Sequence, residues 1–172
     1  GFQVLEAAQA GDRGCSIYEI IALLEDVRCR VHALIVLDTL ESVRRGGRAD
    51  AFIAVIGRMS RVLNIKPIIN FVEGRVQLIG VARSLRRGME RILSIVEELG
   101  PLEHLAVMHA RNAGAAETLA DRLAERVGFP RDEILVGETG AVVASHAGPG
   151  AVGVFAILRT ASTRSGGDGV TR

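Results

Sequence analysis

Apolar residues recur every three or four positions in four segments of the chain, a spacing that places them on one face of a helix. The first segment follows Ser16, and the others cover residues 49–63, 85–99 and 115–127. Ser16 and Glu19 have the spacing of a capping box, so the first helix is predicted to begin there. The pattern therefore predicts four amphipathic helices.

Glycine and proline indicate where several of these helices end. The dipeptide Gly-Pro at positions 100–101 ends the third helix, and Gly128 ends the fourth. A further short helix is predicted to start at Asp38 or Thr39 and to run through Val43, where the sequence RRGGR ends it.

Shorter apolar runs rich in β-branched residues alternate with the helices and predict strands. The six runs are HALIVL, PIINFV, RVQLIGVA, HLAVMH, EILVG and AVGVFAIL. Only Glu73 and Gly74 separate the second run from the third, which is typical of a hairpin. Strands that alternate with helices of these lengths predict an α/β fold.

Composition narrows the class of protein. The chain has 172 residues, of which 48% are hydrophobic and 24% charged, so we expect it to fold. A net charge of +1 and an aromatic content of 3% argue against nucleic-acid binding. Because the chain has no apolar run of about 18 residues and no signal-like start, we expect a soluble, cytoplasmic protein without a membrane span.

The cysteines and histidines do not indicate a metal or redox site. Cys15 and Cys29 lie at opposite ends of a predicted helix, about 20 Å apart, so a disulfide between them is excluded. The four histidines lack metal-ligand spacing. His109, like His32 and His104, is expected to have a structural role, and neither a metal nor a cofactor is predicted.

The two ends of the chain differ from its middle. Residues 1–14 have no clear start signal, and we interpret them as the remnant of a preceding domain or as a linker. Residues 15–158 are predicted to form one domain. Residues 159–172, with the sequence RTASTRSGGDGVTR, are predicted to be a disordered tail.

The sequence SHAGPG, at positions 145–150, is a candidate for ligand binding. Glycine adopts backbone conformations that other residues avoid, and proline fixes φ, so such a loop can bring N–H groups close to a ligand. The same residues also suit a tight turn without a ligand. The six residues leave both interpretations open.

Arg48, which ends the sequence RRGGR, is a second candidate. A guanidinium has two parallel N–H donors that match the two oxygens of a carboxylate, and Gly46 and Gly47 let the backbone turn beside it. Alternatively, the segment is a charged helix end that faces water, with Arg44 and Arg45 favourably placed near the helix dipole.

The helix predicted at residues 49–63 has a stripe of apolar side chains, formed by Phe52, Ile56, Met59 and Leu63. Such a stripe suits an ordinary protein core. It suits the lining of a lipid tunnel equally well, because each buried methylene contributes about 0.8 kcal/mol in either setting.

Four segments of the chain together resemble the C-terminal part of the DegV family of bacterial fatty-acid-binding proteins. They are LDTLESVRRGGRAD, NIKPIINFVEGRV, VARSLRRGMERI and ASHAGPGAVGV. The resemblance implies a two-layer α/β domain with a mixed, six-stranded sheet covered by helices. It also implies a longer parent protein that holds a long-chain fatty acid in a tunnel and presents its carboxylate to a fatty acid kinase, which forms the acyl phosphate. The lipid-binding protein is then not itself the enzyme.

The resemblance assigns roles to individual residues. It implies that Arg48 and His146 bind the carboxylate and that Gly47, Gly148 and Gly150 supply loop backbone. The implied acyl-chain lining consists of Phe52, Ile53, Ile56, Met59, Leu63 and Ile68. The only ligand implied is the fatty acid.

Three roles are possible for His146: a ligand of the carboxylate or of a bridging water, a general base, or a structural histidine. The general base is rejected because an ionised fatty acid has no proton to lose. If Arg48 and His146 face one carboxylate, we expect their Cα atoms within about 15 Å, both at the rim of an apolar cavity.

Two other functions remain open. The chain could be a substrate domain like that of dihydroxyacetone kinases, which would require a polar pocket, or a fragment with no activity of its own. Arg83, Arg86 and Arg87 form either a docking face for an acidic partner or nucleotide phosphates, or a solvated helix start. The oligomeric state is not predicted.

Overall fold

The fold is that of a computed structural model that describes residues 1–39, 65–72 and 74–160. Its helices are α1 (Phe2–Asp12), α2 (Ile17–Arg30), α3 (Leu85–Glu98), α4 (Ala113–Val127) and α5 (Ala141–Ala147), with a 3₁₀ turn at Arg131–Glu133. Its strands are β1 (Val31–Val36), β2 (Lys66–Val72), β3 (Arg75–Ala82), β4 (Leu102–His109), β5 (Leu135–Glu138) and β6 (Val152–Leu158).

Three predicted elements lie outside the described residues. They are the short helix through Val43, the amphipathic helix at residues 49–63 and the tail beyond residue 160.

The six strands form one mixed sheet in the order β3-β2-β1-β6-β4-β5. β4 and β5 are parallel, and the other neighbouring pairs are antiparallel. β1 and β6 lie at the centre and pair over six residues, from Val31↔Ile157 to Val36↔Val152. The predicted α/β class, the six strands and the β2–β3 hairpin are confirmed.

The first face of the sheet carries the larger core, against which α3 and α4 pack. The strands contribute alternate residues, including Leu34, Val36, Val152 and Val154, because successive side chains of a strand point to opposite faces. The helices contribute buried residues at helical spacing, among them Ile92, Leu93, Val96, Leu119 and Leu123. Two of the predicted amphipathic helices thus bury the face that their sequence pattern indicates.

The second face carries a smaller core and is also apolar. Ile35, Leu37, Ile69, Ala110 and Ala151 are buried there, and Leu78, Phe155, Ala144 and Ala147 pack against them. At the far end of this face, His104 stacks on the ring of Phe2 and hydrogen-bonds Glu6 at 3.0 Å, so α1 covers that end.

The predicted start of α2 is confirmed in detail. The hydroxyl of Ser16 accepts a hydrogen bond from the backbone N–H of Glu19, and the Glu19 carboxylate accepts one from the Ser16 N–H at 2.7 Å. Cys15 and Cys29 are free thiols, as predicted.

Two helices differ from the sequence-based expectation. Residues 2–12 form α1, although the segment lacks a capping side chain at its start. The run AVVASHA, to which the sequence pattern assigned neither a helix nor a strand, forms α5. A seven-residue helix is only two turns long, so its pattern is too short to be distinguished from a strand by periodicity.

Candidate functional site

Helix α5 leads directly into the glycine-proline loop that the sequence singled out. The helix ends at Gly148, and the loop turns the chain from α5 into β6. Gly148 has a φ of 79° and Gly150 a φ of 85°, conformations that favour glycine. His146 lies in the last turn of the helix, and its side chain is exposed.

The loop is held against the ends of two strands. The N–H of Gly150 donates to the carbonyl of Ala110 at 2.7 Å, and the side chain of Asn112 donates to the carbonyl of Gly150 at 3.2 Å. A Cβ added to Gly150 would lie 2.8 Å from the Cβ of Asp38. The second glycine of the motif is therefore required by both its conformation and its contact with the end of β1.

Asp38 joins this loop to a second motif. The Nζ of Lys66 lies 2.8 Å from Oδ1 of Asp38 and 2.8 Å from its backbone oxygen. The side chain of Lys66 is only 13% exposed, so the ion pair is shielded from water on one side. Residues of LDTL, NIKPI and HAGPG thus meet at one end of the sheet, although they are far apart in sequence.

Sequence reasoning did not single out Asp38 and Lys66 as a pair. The available signal was their position, because Asp38 follows β1 and Lys66 begins β2, and each belongs to one of the motifs. Antiparallel pairing of β1 and β2 brings the C-terminal end of one strand beside the N-terminal end of the other.

An apolar cavity lies on the second face of the sheet, beside the loop. Its floor comes from β1, β4 and β6, and its wall comes from α5. The lining residues are Ile35, Met108, Ala110, Thr139, Val143, Ala147, Ala151, Gly153 and Phe155. Its volume is about 10 Å³, the space of about one water molecule. A long acyl chain would therefore have to widen it on entry.

A larger groove, of about 390 Å³, lies beside α3. It is lined by Ile68, Gly80, Val81, Ala82, Arg83, Arg87 and Arg91. The three arginines are exposed. Arg87 and Arg91 are four residues apart on α3 and share one side of the helix, whereas Arg83 precedes its N-cap, Ser84. Two of them belong to the predicted cationic set, whose role as a docking face or solvated surface stays open.

Most of the predicted lipid site lies outside the described residues. This holds for Arg48, for Gly47 and for the lining residues Phe52, Ile53, Ile56, Met59 and Leu63. The convergence of Arg48 with His146 therefore stays a prediction. His146 lies beside the apolar cavity, because Val143 and Ala147 of the same helix line it.

Ile68 is described, and it lies away from the apolar cavity. It is buried in the core under α3 and also lines the arginine groove. Its neighbour Ile69 belongs to the second face instead, since adjacent strand residues point to opposite sides. On the cavity's side of the sheet, β2 thus presents Ile69.

The remaining histidines have partners or burial that suit structural roles. His109 is 8% exposed, and its Nδ1 accepts a hydrogen bond from the N–H of Asn112 at 3.1 Å. Burial lowers the pKa of His32, because a low-dielectric surrounding disfavours the charged imidazolium.

Within residues 1–39, 65–72 and 74–160, no three metal-binding side chains come together. Over the same part of the chain, none of the helices combines the length and the apolar character that a membrane crossing requires.

Comparison with known sequences places the chain in a family. A family model described as "uncharacterised protein, DegV family" matches residues 1–159. A DegV domain-containing protein of Streptomyces coelicolor is 33% identical over 161 residues, which are 92% of this chain and 56% of that protein. The protein DegV of Bacillus subtilis is 31% identical over 158 residues, 90% of this chain and 54% of that protein.

Solved structures give the same result. A DegV family protein from Thermus thermophilus, described as fatty acid binding, is 32% identical with a TM-score of 0.79. A fatty acid binding DegV family protein from Streptococcus agalactiae is 27% identical with a TM-score of 0.80. Each match covers 92% of this chain and 56% of the other.

The chain spans about half the length of the relatives it matches. The family model nevertheless covers nearly all of it, and the fold matches that of a solved DegV structure over 92% of this chain. This chain belongs to the DegV family.

Proposed function

We propose that the chain binds the acyl tail of a long-chain fatty acid on the second face of its sheet, against α5. The observation that carries the proposal is the apolar cavity, which adjoins the glycine-proline loop and has hydrophobic walls on three strands and one helix. The descriptions of the Thermus and Streptococcus relatives as fatty acid binding support the ligand class.

The energetics of such binding come from the tail. Each methylene removed from water contributes about 0.8 kcal/mol, so a sixteen-carbon tail gains on the order of 10 kcal/mol before ordering costs. Because the cavity has room for about one water molecule, entry of the tail has to separate α5 or its neighbours from the sheet. Part of the free energy gained by burying the tail therefore offsets the cost of this opening.

The carboxylate is assigned to Arg48 and His146. An arginine offers two donors to the two oxygens, and a histidine adds one donor when neutral and two when protonated. His146 suits this role because α5 holds it beside the cavity wall while leaving the ring exposed. A carboxylate at this position would be reachable from solvent.

In the whole protein, the carboxylate is presented to a fatty acid kinase that forms the acyl phosphate. The chain itself binds and presents the lipid and carries out no chemical step. Asp38, held by Lys66, packs against Gly150 in the loop that follows His146, so Asp38 and Lys66 are positioning residues in this scheme.

The proposal is tested by placing a charge in the cavity wall. Val143 lines the cavity and is 45% exposed, whereas Val142, on the same helix, is 74% exposed and is not part of the lining. Val143→Asp should weaken palmitate binding at least about tenfold in calorimetry, because the carboxylate faces buried methylenes. Val142→Asp should leave the affinity unchanged.

Three results would contradict this assignment. Equal effects of the two aspartates would show that the cavity is not the site. Absence of palmitate binding by the unmodified chain would overturn the lipid function. Binding of a small ketone in its place would favour a domain like the substrate domain of dihydroxyacetone kinases.

A further inference from the structure

The groove beside α3 has three arginines in its lining, which we call the groove arginines: Arg83, Arg87 and Arg91. The arginines of the neighbouring helix α4 are paired, since Arg122 and Arg126 both contact the carboxylate of Glu90. In the part of the chain that the structure describes, none of the groove arginines forms such an ion pair. The described residues therefore leave the positive charge of the groove unbalanced.

Two local effects disfavour positive charge at this place. The N-terminal end of a helix carries a partial positive charge, yet the first turn of α3 has no acidic residue and includes Arg86 and Arg87. Arg87 and Arg91 are one helical turn apart, and like charges at this spacing repel each other. Departures from local rules of this kind are expected at functional sites. An anion beside the guanidinium groups would make the arrangement favourable.

The rest of the groove lining is apolar. It comes from Ile68 of β2 and from Gly80, Val81 and Ala82 of β3, and Gly80 contributes no side chain. The volume of about 390 Å³ lies within the range of about 300–1,000 Å³ that is usual for small-molecule sites. A ligand that matches this groove has an anionic group at one side and a flat or apolar body at the other.

We propose that the groove binds a nucleotide, with its phosphates on the groove arginines and its base against the apolar residues of β2 and β3. A guanidinium has parallel N–H donors that match the oxygens of a phosphate. The helical rise from Arg87 to Arg91 is about 6 Å, which suits two adjacent phosphate groups better than a single carboxylate.

This site is separate from the proposed lipid site. Ile68 belongs to the core of the first face, so the groove lies at the edge of that face. The apolar cavity lies on the second face. The nucleotide inference therefore does not depend on the lipid function.

Calorimetric titrations with ADP and with pyrophosphate test the inference. The unmodified chain should bind ADP more tightly than pyrophosphate, because only ADP also contacts the strands. Arg87→Gln should weaken ADP binding at least about tenfold, the effect of losing one hydrogen bond to a charged group. Arg86→Gln is the matched control, since it removes the same charge from the same helical turn but Arg86 is not part of the lining. It should weaken ADP binding less than about twofold.

A stability measurement separates a ligand contact from a structural role. Without ligand, Arg87→Gln should unfold at the same urea concentration as the unmodified chain, or at a higher one, because the repulsion with Arg91 is removed. Absence of ADP binding, or equal losses of ADP affinity in the Arg86 and Arg87 variants, would overturn the inference. Equal affinities for pyrophosphate and ADP would overturn the assignment of a nucleotide. Tighter binding of a penta-aspartate peptide than of ADP would also overturn it, in favour of an acidic protein partner.

Discussion

At the scale of single residues, the glycine-proline loop shows how a short motif is explained by contacts far away in the sequence. Gly150 combines a positive φ with a close approach to Asp38, which itself pairs with Lys66. A side chain at position 150 would therefore strain the backbone and displace the ion pair together. The turn and the polar cluster form one unit.

Gly150→Ala should destabilise the chain by about 2 kcal/mol or more, because the added Cβ meets Asp38 in a conformation that alanine disfavours. Gly128→Ala is the matched control: Gly128 also has a positive φ, of 66°, but a Cβ there would meet nothing within 4 Å. Gly128→Ala should lower the free energy of unfolding by about 1 kcal/mol. Urea denaturation of both variants measures the difference, and equal losses would refute the role of the Asp38 contact.

His32 makes stability depend on pH. Its pKa is lowered in the folded chain by burial, from an unfolded value near 6.5. Below that value the unfolded chain takes up a proton that the folded chain resists, so stability is fully present above it and falls as the pH decreases toward the folded pKa. Between pH 7.5 and 5, the stability of His32→Gln should decline less steeply than that of the unmodified chain. If urea denaturation shows that the stability of both chains declines equally with decreasing pH, this role of His32 is contradicted.

At the scale of elements, Gly88 is the point where helix α3 packs closely against β1. A Cβ on Gly88 would lie 2.6 Å from Cγ1 of Val36, a fully buried residue at the end of β1. The buried glycine in the middle of the amphipathic pattern is therefore a packing requirement. It lets α3 lie flat against the strand that leads to Asp38.

Gly88→Ala should destabilise the chain by about 1–3 kcal/mol, since overpacking against Val36 exceeds the gain in helix propensity. Gly114→Ala, in the first turn of α4, should instead stabilise by up to about 1 kcal/mol, because a Cβ there has open space. In thermal unfolding, Gly88→Ala should lower the melting temperature and Gly114→Ala should raise it. A stabilised Gly88→Ala variant would show that α3 can shift without cost.

The elements that sequence predicts well are those with a long pattern or a local signal. The capping box at Ser16 and the αL glycine at Gly128 are local signals, and the structure has both. Helix α5 was not predicted because two turns of small apolar residues fit a strand equally well. The pairing of Asp38 with Lys66 depends on strand order, which no local pattern contains.

At the scale of the whole molecule, the sheet separates two regions of different character. The first face is filled by α3 and α4, with the arginine groove at its edge. The second face has a smaller core, the apolar cavity and the glycine-proline loop. The proposed lipid site lies on the second face, and the arginine groove is not part of it.

The central claim is that a fatty acid tail lies on the second face, against α5. Photo-cross-linking with a stearic acid that carries a mid-chain diazirine, followed by peptide mass spectrometry, tests both the ligand and the place. The account predicts labelling at Met108, Val143 or Phe155 that excess palmitate suppresses. Labelling confined to the arginine groove, at residues such as Val81 or Arg87, or labelling that palmitate does not suppress, would contradict it.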